Sequence, residues 1–311
     1  MYMERYNHLN SYLKTKFGGR TLKICVDAGM TCPNRDGSKG VSGCLFCSAS
    51  GSGDHLVRGK SITDQLQDYF DSYKMGRADR FIVYFQSFSN TYGDIRYLRE
   101  IYLEAINFSD KIVAIQIATR PDCITAEIVE LLSELSKIKP IVVELGLQTA
   151  NEMSATNLNL QYTKADFEKA VSLLANARIE VVAHIMVGLP NESHADIIKT
   201  VDFINSQPVK GIKIHSTYVT NNSGLFELYN SGNYSPLELE EYLAELEFIL
   251  THLRHDIVIH RVSGDPPKES FVAPEWMLHK KRILNGIDKI MREKNLTQGC
   301  FFNIKRTSTN I

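Results

Sequence analysis

Five short runs rich in Val and Ile punctuate the middle of the chain: FIVYFQS (81–87), KIVAIQIATR (111–120), IVVELGLQT (141–149), EVVAHIMVGLP (180–190) and GIKIHSTYV (211–219). Each is too continuous in apolar character for a strand with one wet face and fits a parallel strand covered on both sides. Between the runs the period changes. Segments 92–108, 125–137, 163–178 and 193–207 read as amphipathic helices, the last three opened by Thr125, Thr163 and Ser193 as N-caps. In the third, Phe167, Val171 and Leu174 recur at helical spacing and form a stripe that faces a core. With TLKICVDAG (21–29) as a first strand and residues 61–77 as a first helix, the chain holds about six β-α units. Such units close into a barrel or wind into an open sheet, and length alone does not choose between them. Either way, the chemistry belongs at the C-terminal ends of the strands.

From about residue 222 the alternation lapses. A strong helix (236–253), a strand (DIVIHRVSG, 256–264), a turn around the single Trp276 and a basic helix (279–295) follow. The organisation expected is an N-terminal extension (1–20), a core (21–221) and a C-terminal α/β extension packed on it (222–311), with no internal repeat or flexible linker.

A chain of 311 residues can bury one large core. Its first twenty residues are polar and charged, unlike a secretory signal, and no stretch approaches the roughly 18 apolar residues of a membrane span, so the cytoplasm is the default expectation. The formal net charge of -1 hides an uneven distribution: +4 over residues 1–24, +6 over 279–311 and -11 between them. If the two ends meet, they form a basic patch able to recruit a polyanion; solvated tails and a charged helix face explain the same numbers.

Six cysteines in a reducing compartment suggest metal ligands, catalytic groups or buried thiols before disulfides. Three of them share one Gly-rich loop, TCPNRDGSKGVSGCLFCSAS (31–50), in the pattern Cys32-x11-Cys44-x2-Cys47. A Cys-x2-Cys pair converges on one metal centre with little chain strain, and the longer interval returns a third thiolate from the side. Glycines 37, 40 and 43 permit the turns, and their N–H groups are expected to be free to bond sulfides. Three thiolates on a four-iron cube leave one iron open. Zinc would take a fourth ligand, for which Cys25, Asp54 or His55 are candidates, and an incidental group of thiols is the third reading.

A cysteine loop after the first strand of a six-unit β-α chain, with Phe46 just before the last cysteine, resembles the radical S-adenosylmethionine (SAM) superfamily. That superfamily usually spaces its ligands Cys-x3-Cys-x2-Cys; the longer first interval here is similar to the loop of the Elongator catalytic subunit and its bacterial relatives. The segments VDAGMTCPNRDG, GCLFC, TRPDC, VELGLQTA, HIMVGLP, GIKIH and HRVSGD, in that order over residues 5–290, resemble the YhcC-like radical SAM proteins. The fold this implies is a partial (β/α)6 TIM-type barrel of the radical SAM type with a C-terminal α/β extension.

The resemblance further implies that Cys32, Cys44 and Cys47 hold one [4Fe-4S] cluster whose open iron chelates SAM, and that an electron from the cluster cleaves SAM to methionine and a 5′-deoxyadenosyl radical. Phe46 would lie against the adenine. Gln86 or Ser87 would stand in for the Gly-rich motif that bonds the SAM amino group, and after Thr119 at the end of the third strand Arg120 would hold the SAM carboxylate, a surface salt bridge being the alternative for Arg120. Glu144 and Gln148 share a strand face and would bind a ribose or amino group, an internal ion pair being the alternative for Glu144. His184, Met186 and Gly188 share the face below VGLP, where Gly188 would admit the adenine edge. His215 and Arg261 are candidates for the SAM or substrate side, a core histidine being the alternative for His215. Cys123 reads as a buried cap, closeness to the substrate being the alternative.

Likeness to Elongator suggests an RNA substrate, such as the wobble uridine of tRNA, approached through the basic ends, with an electron donor of flavodoxin or ferredoxin type. Elongator carries an acetyl-CoA-binding domain after its barrel, which this chain is expected to lack, and sulfur insertion is not expected because the sequence shows no second cysteine triad. The alternatives are radical modification of a small metabolite or protein side chain, and a zinc-stabilised RNA-binding or scaffold protein.

Overall fold

A computed structural model describes residues 4–48, 50, 51, 53 and 56–302. In chain order the elements are α1 (Leu9–Phe17), β1 (Thr21–Val26), α2 (Ile62–Phe70), β2 (Arg80–Phe85), α3 (Ile95–Asn107), β3 (Ile112–Thr119), α4 (Ala126–Leu135), β4 (Ile141–Gln148), α5 (Glu152–Asn157), α6 (Lys164–Asn176), β5 (Glu180–Val187), α7 (His194–Ser206), β6 (Gly211–Ser216), β7 (Val219–Thr220), α8 (Leu225–Asn230), α9 (Leu239–His252), β8 (Val258–Arg261), β9 (Phe271–Ala273) and α10 (Lys280–Glu293). Short 3-10 turns follow α2, β3 and β9.

Strands β1 to β6 lie side by side in chain order, and β8 joins beyond β6 as a seventh; every pairing is parallel. The sequence pattern marks all six of the first strands within a few residues of their ends. The seventh comes from the segment set apart as an extension, so that segment completes the sheet. A separate antiparallel pair, β7 with β9, sits beside the C-terminal ends.

The expected caps form. Thr125 Oγ1 accepts from Ile128 N at 3.2 Å, while Thr163 and Ser193 make reciprocal capping boxes with Asp166 and Asp196. The stripe Phe167, Val171 and Leu174 is fully buried in the main core, which runs continuously from β1 to α10. Helix α1 has no strong periodic signature, and its place is tertiary. Leu13, with Leu9, Tyr12 and Phe17 beside it, packs against Ile82 and Ala114 at the N-terminal mouth of the barrel. The chain ahead of α1 adds to the free edge of β8, where Ile259 N donates to Asn7 O at 2.8 Å. The two chain ends meet there as well: Arg5 Nη1 donates to Asn295 Oδ1 at 3.0 Å and Gln298 N to Arg5 O at 2.8 Å. Among the described residues, no helix is long and apolar enough to cross a membrane.

Candidate cofactor and substrate site

The cysteine loop leaves β1 and is pinned in place mainly by side chains that the sequence reading passed over. Asn34 Nδ2 donates to Asn159 O at 2.6 Å and approaches Cys44 Sγ at 3.6 Å; Asn159 Nδ2 returns a bond to Gly43 O at 2.8 Å. Arg35 Nη2 donates to the carbonyls of Ser48 and Cys47, at 2.8 and 3.2 Å. Gly43 has φ 75°, and a Cβ there would stand 2.7 Å from the Arg35 guanidinium, so only glycine passes between loop and clamp. The glycine N–H groups are not free for sulfides, as the sequence suggested. Gly37 donates to Gly40 O, Gly40 to Pro33 O and Gly43 to Asn34 O, because a loop this tight must satisfy its own backbone.

Within this loop Cys32 is buried, and Cys44 and Cys47 are half-buried. Burial pushes the Cys44 thiol up to about 12, helped by the neighbouring Cys47 and Cys32. All six cysteines are free thiols. Among the described residues, no three His, Cys, Asp or Glu side chains form a ready-made metal cage, so the loop gathers the trio without drawing the sulfurs together. The trio nonetheless suits a group with three thiolate ligands. Close to it lie buried polar atoms without a hydrogen-bond partner among the described residues, namely Asn34 Oδ1 in the loop itself and Ser87 Oγ and Asn90 Oδ1 after β2. The zinc alternative loses its fourth ligand from β1: Cys25 lies inside the barrel, where burial raises its thiol and Lys213, Lys23 and Arg261 act on it. Asp54 and His55 lie outside the described residues.

Around this loop the expected contacts divide. Ser87 and Phe88, just after β2, take left-handed φ of 76° and 55° in succession, a bend that glycine usually makes. Gln86 N is tied to Val26 O at 3.1 Å. Phe46 packs between two small apolar clusters, one containing Met186 and the other Val219 and Leu225. Arg120 reaches the loop, but its guanidinium is already engaged. It holds both oxygens of Asp122 at 2.9 Å and lies 4.7 Å over the Tyr162 ring. Burial works against that charge, but Asp122 outweighs it and holds the guanidinium firmly protonated. Thr119 shares a 2.7 Å hydroxyl–hydroxyl bond with Thr91, and Cys123 is the buried cap expected, its thiol raised to about 12 by burial. Gln148 has φ 67° at a register shift in β4, next to Gly146 and Tyr162.

Gly188 packs against the segment that follows the core. It has φ 82°, and a Cβ there would meet Leu237 Cγ at 2.9 Å; its carbonyl accepts from Tyr234 Oη at 2.7 Å. The close approach it permits is to the chain's own C-terminal segment.

Deeper in the barrel a second group converges on Glu144, which is fully buried. Tyr84 Oη donates to it at 2.6 Å, Lys23 Nζ at 3.2 Å and His184 Nε2 pairs at 2.8 Å; Lys213 Nζ and Gln116 Nε2 complete the set. Glu144 therefore forms the internal ion pair, not the ligand contact that the resemblance implied. Burial opposes its charge, but Lys213, Lys23 and His184 hold its carboxyl well below the usual range. Lys213 itself drops to about 7, because burial and the charges of Lys23 and Arg261 outweigh the pull of Glu144. Lys213 escaped the sequence reading although its parity with His215 on β6 was visible. His215 faces His184 with ring centroids 5.4 Å apart, and Arg261 closes the group from β8, bonded to Asp265 at 2.9 Å.

The Radical SAM superfamily model matches residues 32–204, and a Radical SAM C-terminal domain model matches 209–293. The chain belongs to the radical SAM superfamily. It is 34% identical to YtqA of Bacillus subtilis (strain 168) over 96% of its length and 93% of that protein, and 28% identical to YhcC of Escherichia coli (strain K12) over 92% of each. Human Elongator complex protein 3 is 30% identical over 53% of this chain, which is 31% of that protein. Among solved structures, archaeal Methanocaldococcus infernus Elp3 superposes with a TM-score of 0.67 at 19% identity, covering 90% of this chain and 65% of that one. Methylornithine synthase (PylB) superposes with a TM-score of 0.51 at 10% identity over 89% of this chain and 83% of that one. Both are likenesses of fold, and they make the seven-stranded sheet a partial TIM-type barrel.

Proposed function

We propose that the protein is a radical SAM enzyme that acts on RNA, with Cys32, Cys44 and Cys47 as the three ligands of one [4Fe-4S] cluster. The observation that carries the reading is the placement of all three cysteines on one loop, directly after β1, that Asn34 and Arg35 pin. When bound, the cluster would supply the electron that splits SAM into methionine and a 5′-deoxyadenosyl radical. The protein's own part is placement. Asn34 and Arg35 hold the loop, the bend at Ser87 and Phe88 would offer Ser87 Oγ, which has no partner among the described residues, to the SAM amino group, and the barrel wall would keep water from the reacting atoms. Arg120 would serve beside the site as a fixed positive charge.

An RNA partner is supported by the meeting of the two basic chain ends, with Lys14, Lys281 and Arg282 exposed on α1 and α10. Much of the remaining charge is offset locally, as Lys294 is by Glu247 and Lys16 by Glu180. Lys305 and Arg306 lie outside the described residues. A flavodoxin- or ferredoxin-type donor and a cytoplasmic setting complete the proposal.

Anaerobic reconstitution tests it. The expected result is a brown protein with about four irons per chain, as three thiolates on a cube require, that forms 5′-deoxyadenosine with SAM and dithionite. Cys44→Ala should abolish that product and leave the circular dichroism spectrum unchanged. Colourless protein with one zinc per chain, or a Cys44→Ala variant that still cleaves SAM, refutes the ligand assignment. tRNA binding that weakens steeply as salt rises supports the RNA reading, and salt-independent or absent binding refutes it.

A further inference from the structure

Among the described residues, the inner face of the barrel gathers three basic side chains, Lys23, Lys213 and Arg261, about carboxylates that are already engaged. Lys213 and His215 alternate on β6 with Ile212 and Ile214, which are buried in the outer core, so both polar side chains face inward. Where β6 meets β8 the register shifts, Ile212 pairing with Ile259 and Lys213 with Arg261, so one extra residue is accommodated and His260 and Arg261 both come to the inner side. Lys213 lies 4.4 Å over the Tyr84 ring and donates to Tyr84 Oη at 3.0 Å; Lys23 lies over the other part of that ring at 5.0 Å.

Against Lys23, Lys213 and Arg261 stand two carboxylates. Glu144 already accepts from five donors, which fills its two oxygens. Asp265 is half-exposed and shared between Arg261 and Lys280. The remaining groups facing this space, Cys25, Tyr84, His184, His215 and His260, add no negative charge in their neutral forms. Two of them are incomplete: His215 Nε2 and His260 Nδ1 are buried and have no hydrogen-bond partner among the described residues, a state that costs free energy unless a ligand relieves it. Burial and the neighbouring His184, Arg261 and Lys213 keep the His215 ring neutral. Arg261, about a third exposed, marks where the interior opens to solvent.

We propose that this inner face is a receptor for a single carboxylate- or phosphate-sized oxyanion on the substrate, held by His215, Lys213 and Arg261 beneath the cofactor loop. It rests on the radical SAM reading for the statement that the anion's carrier is the molecule modified. The anion would supply the acceptor that His215 lacks and a second partner for Arg261, and its charge would draw Lys213 back towards its protonated state.

The full-length protein, labelled with 13C in its lysine side chains and histidine rings, is titrated with sodium acetate and separately with inorganic phosphate, with chloride at matched ionic strength as the control. Saturable changes at the Lys213 Cε and His215 ring signals, with Lys213 titrating at higher pH in the anion's presence, are the expected result. A response to acetate alone identifies a carboxylate and a response to phosphate alone a phosphate ester, each supporting the receptor. Arg261→Gln should weaken binding about tenfold, the loss of one charge-assisted hydrogen bond, whereas Lys281→Gln on the exposed face of α10 should not. No response in the wild-type protein beyond that of chloride overturns the proposal, whatever the variants do. Protein that binds the anion but takes up no iron refutes the cofactor reading alone, and protein that cleaves SAM but ignores both anions refutes the receptor alone.

Discussion

Lys213 and Glu144 meet at the centre of the barrel, the ammonium 6% and the carboxylate 0% exposed, and the same ammonium reaches Tyr84 Oη at 3.0 Å. Two strands that are not neighbours are thereby tied across the interior, since Glu144 belongs to β4 and Lys213 to β6. A buried pair of this kind adds little net stability against an apolar replacement, yet breaking one side of it is costly because the other charge is left without compensation.

Glu144→Gln should therefore destabilise the protein by about 3–5 kcal/mol in urea unfolding. Adding Lys213→Met to that variant should restore a good part of the loss, since the fully buried ammonium is then gone and only the more exposed Lys23 has lost its carboxylate. A double variant as unstable as the single one would show that the cost lies in packing and not in charge.

The low Lys213 pKa carries a sign that can be checked. Its value of about 7 in the folded chain against the ordinary 10.5 means that the unfolded chain holds more protons between those limits. Folding stability therefore rises with pH across that window, and the penalty for the buried charge is fully present below it. Lys213→Met lacks the penalty, so its stability relative to wild type should fall steadily as pH increases from neutrality to about 10. Parallel stability curves for the two proteins would contradict this.

Trp276 stacks on Tyr242 with ring centroids 5.2 Å apart and donates from Nε1 to Leu237 O at 2.9 Å. It belongs to the same continuous core as β1, so Trp276→Ala should cost about 3–5 kcal/mol and shift the whole unfolding transition. Separate transitions for the barrel and the C-terminal segment would instead mark that segment as an independent unit.

Gly188→Ala tests the packing at the end of β5. The left-handed φ and the Leu237 contact together predict a loss of about 1–3 kcal/mol, read by thermal or urea unfolding. A variant with unchanged stability but weakened SAM binding would return Gly188 to the adenine.

The strands, most helices and the cysteine loop were legible because each rests on local physics. Continuous Val and Ile runs mark strands covered on both faces, Thr and Ser before an apolar period mark caps, and a Cys-x2-Cys pair in a glycine loop marks a metal centre wherever the chain folds. Helix α1 was not legible, because its place depends on the open mouth it covers. Asn34, Arg35 and Asn159 were also missed, since an ordinary Asn or Arg in a loop reveals nothing until its partner is adjacent.

The sequence by itself determined the repeated β-α order, the three-thiol spacing and the inward parity of Glu144, His184 and His215, all properties of neighbours along the chain. Only the tertiary structure decided what those inward groups do. It spent Glu144 on Lys213 and Lys23, closed Arg120 onto Asp122, set Gly188 against Leu237 and left His215 Nε2 without a partner. The reason is physical. A buried charge or polar atom is governed by whichever group the fold brings within hydrogen-bond reach, and here those groups lie tens of residues away on other strands.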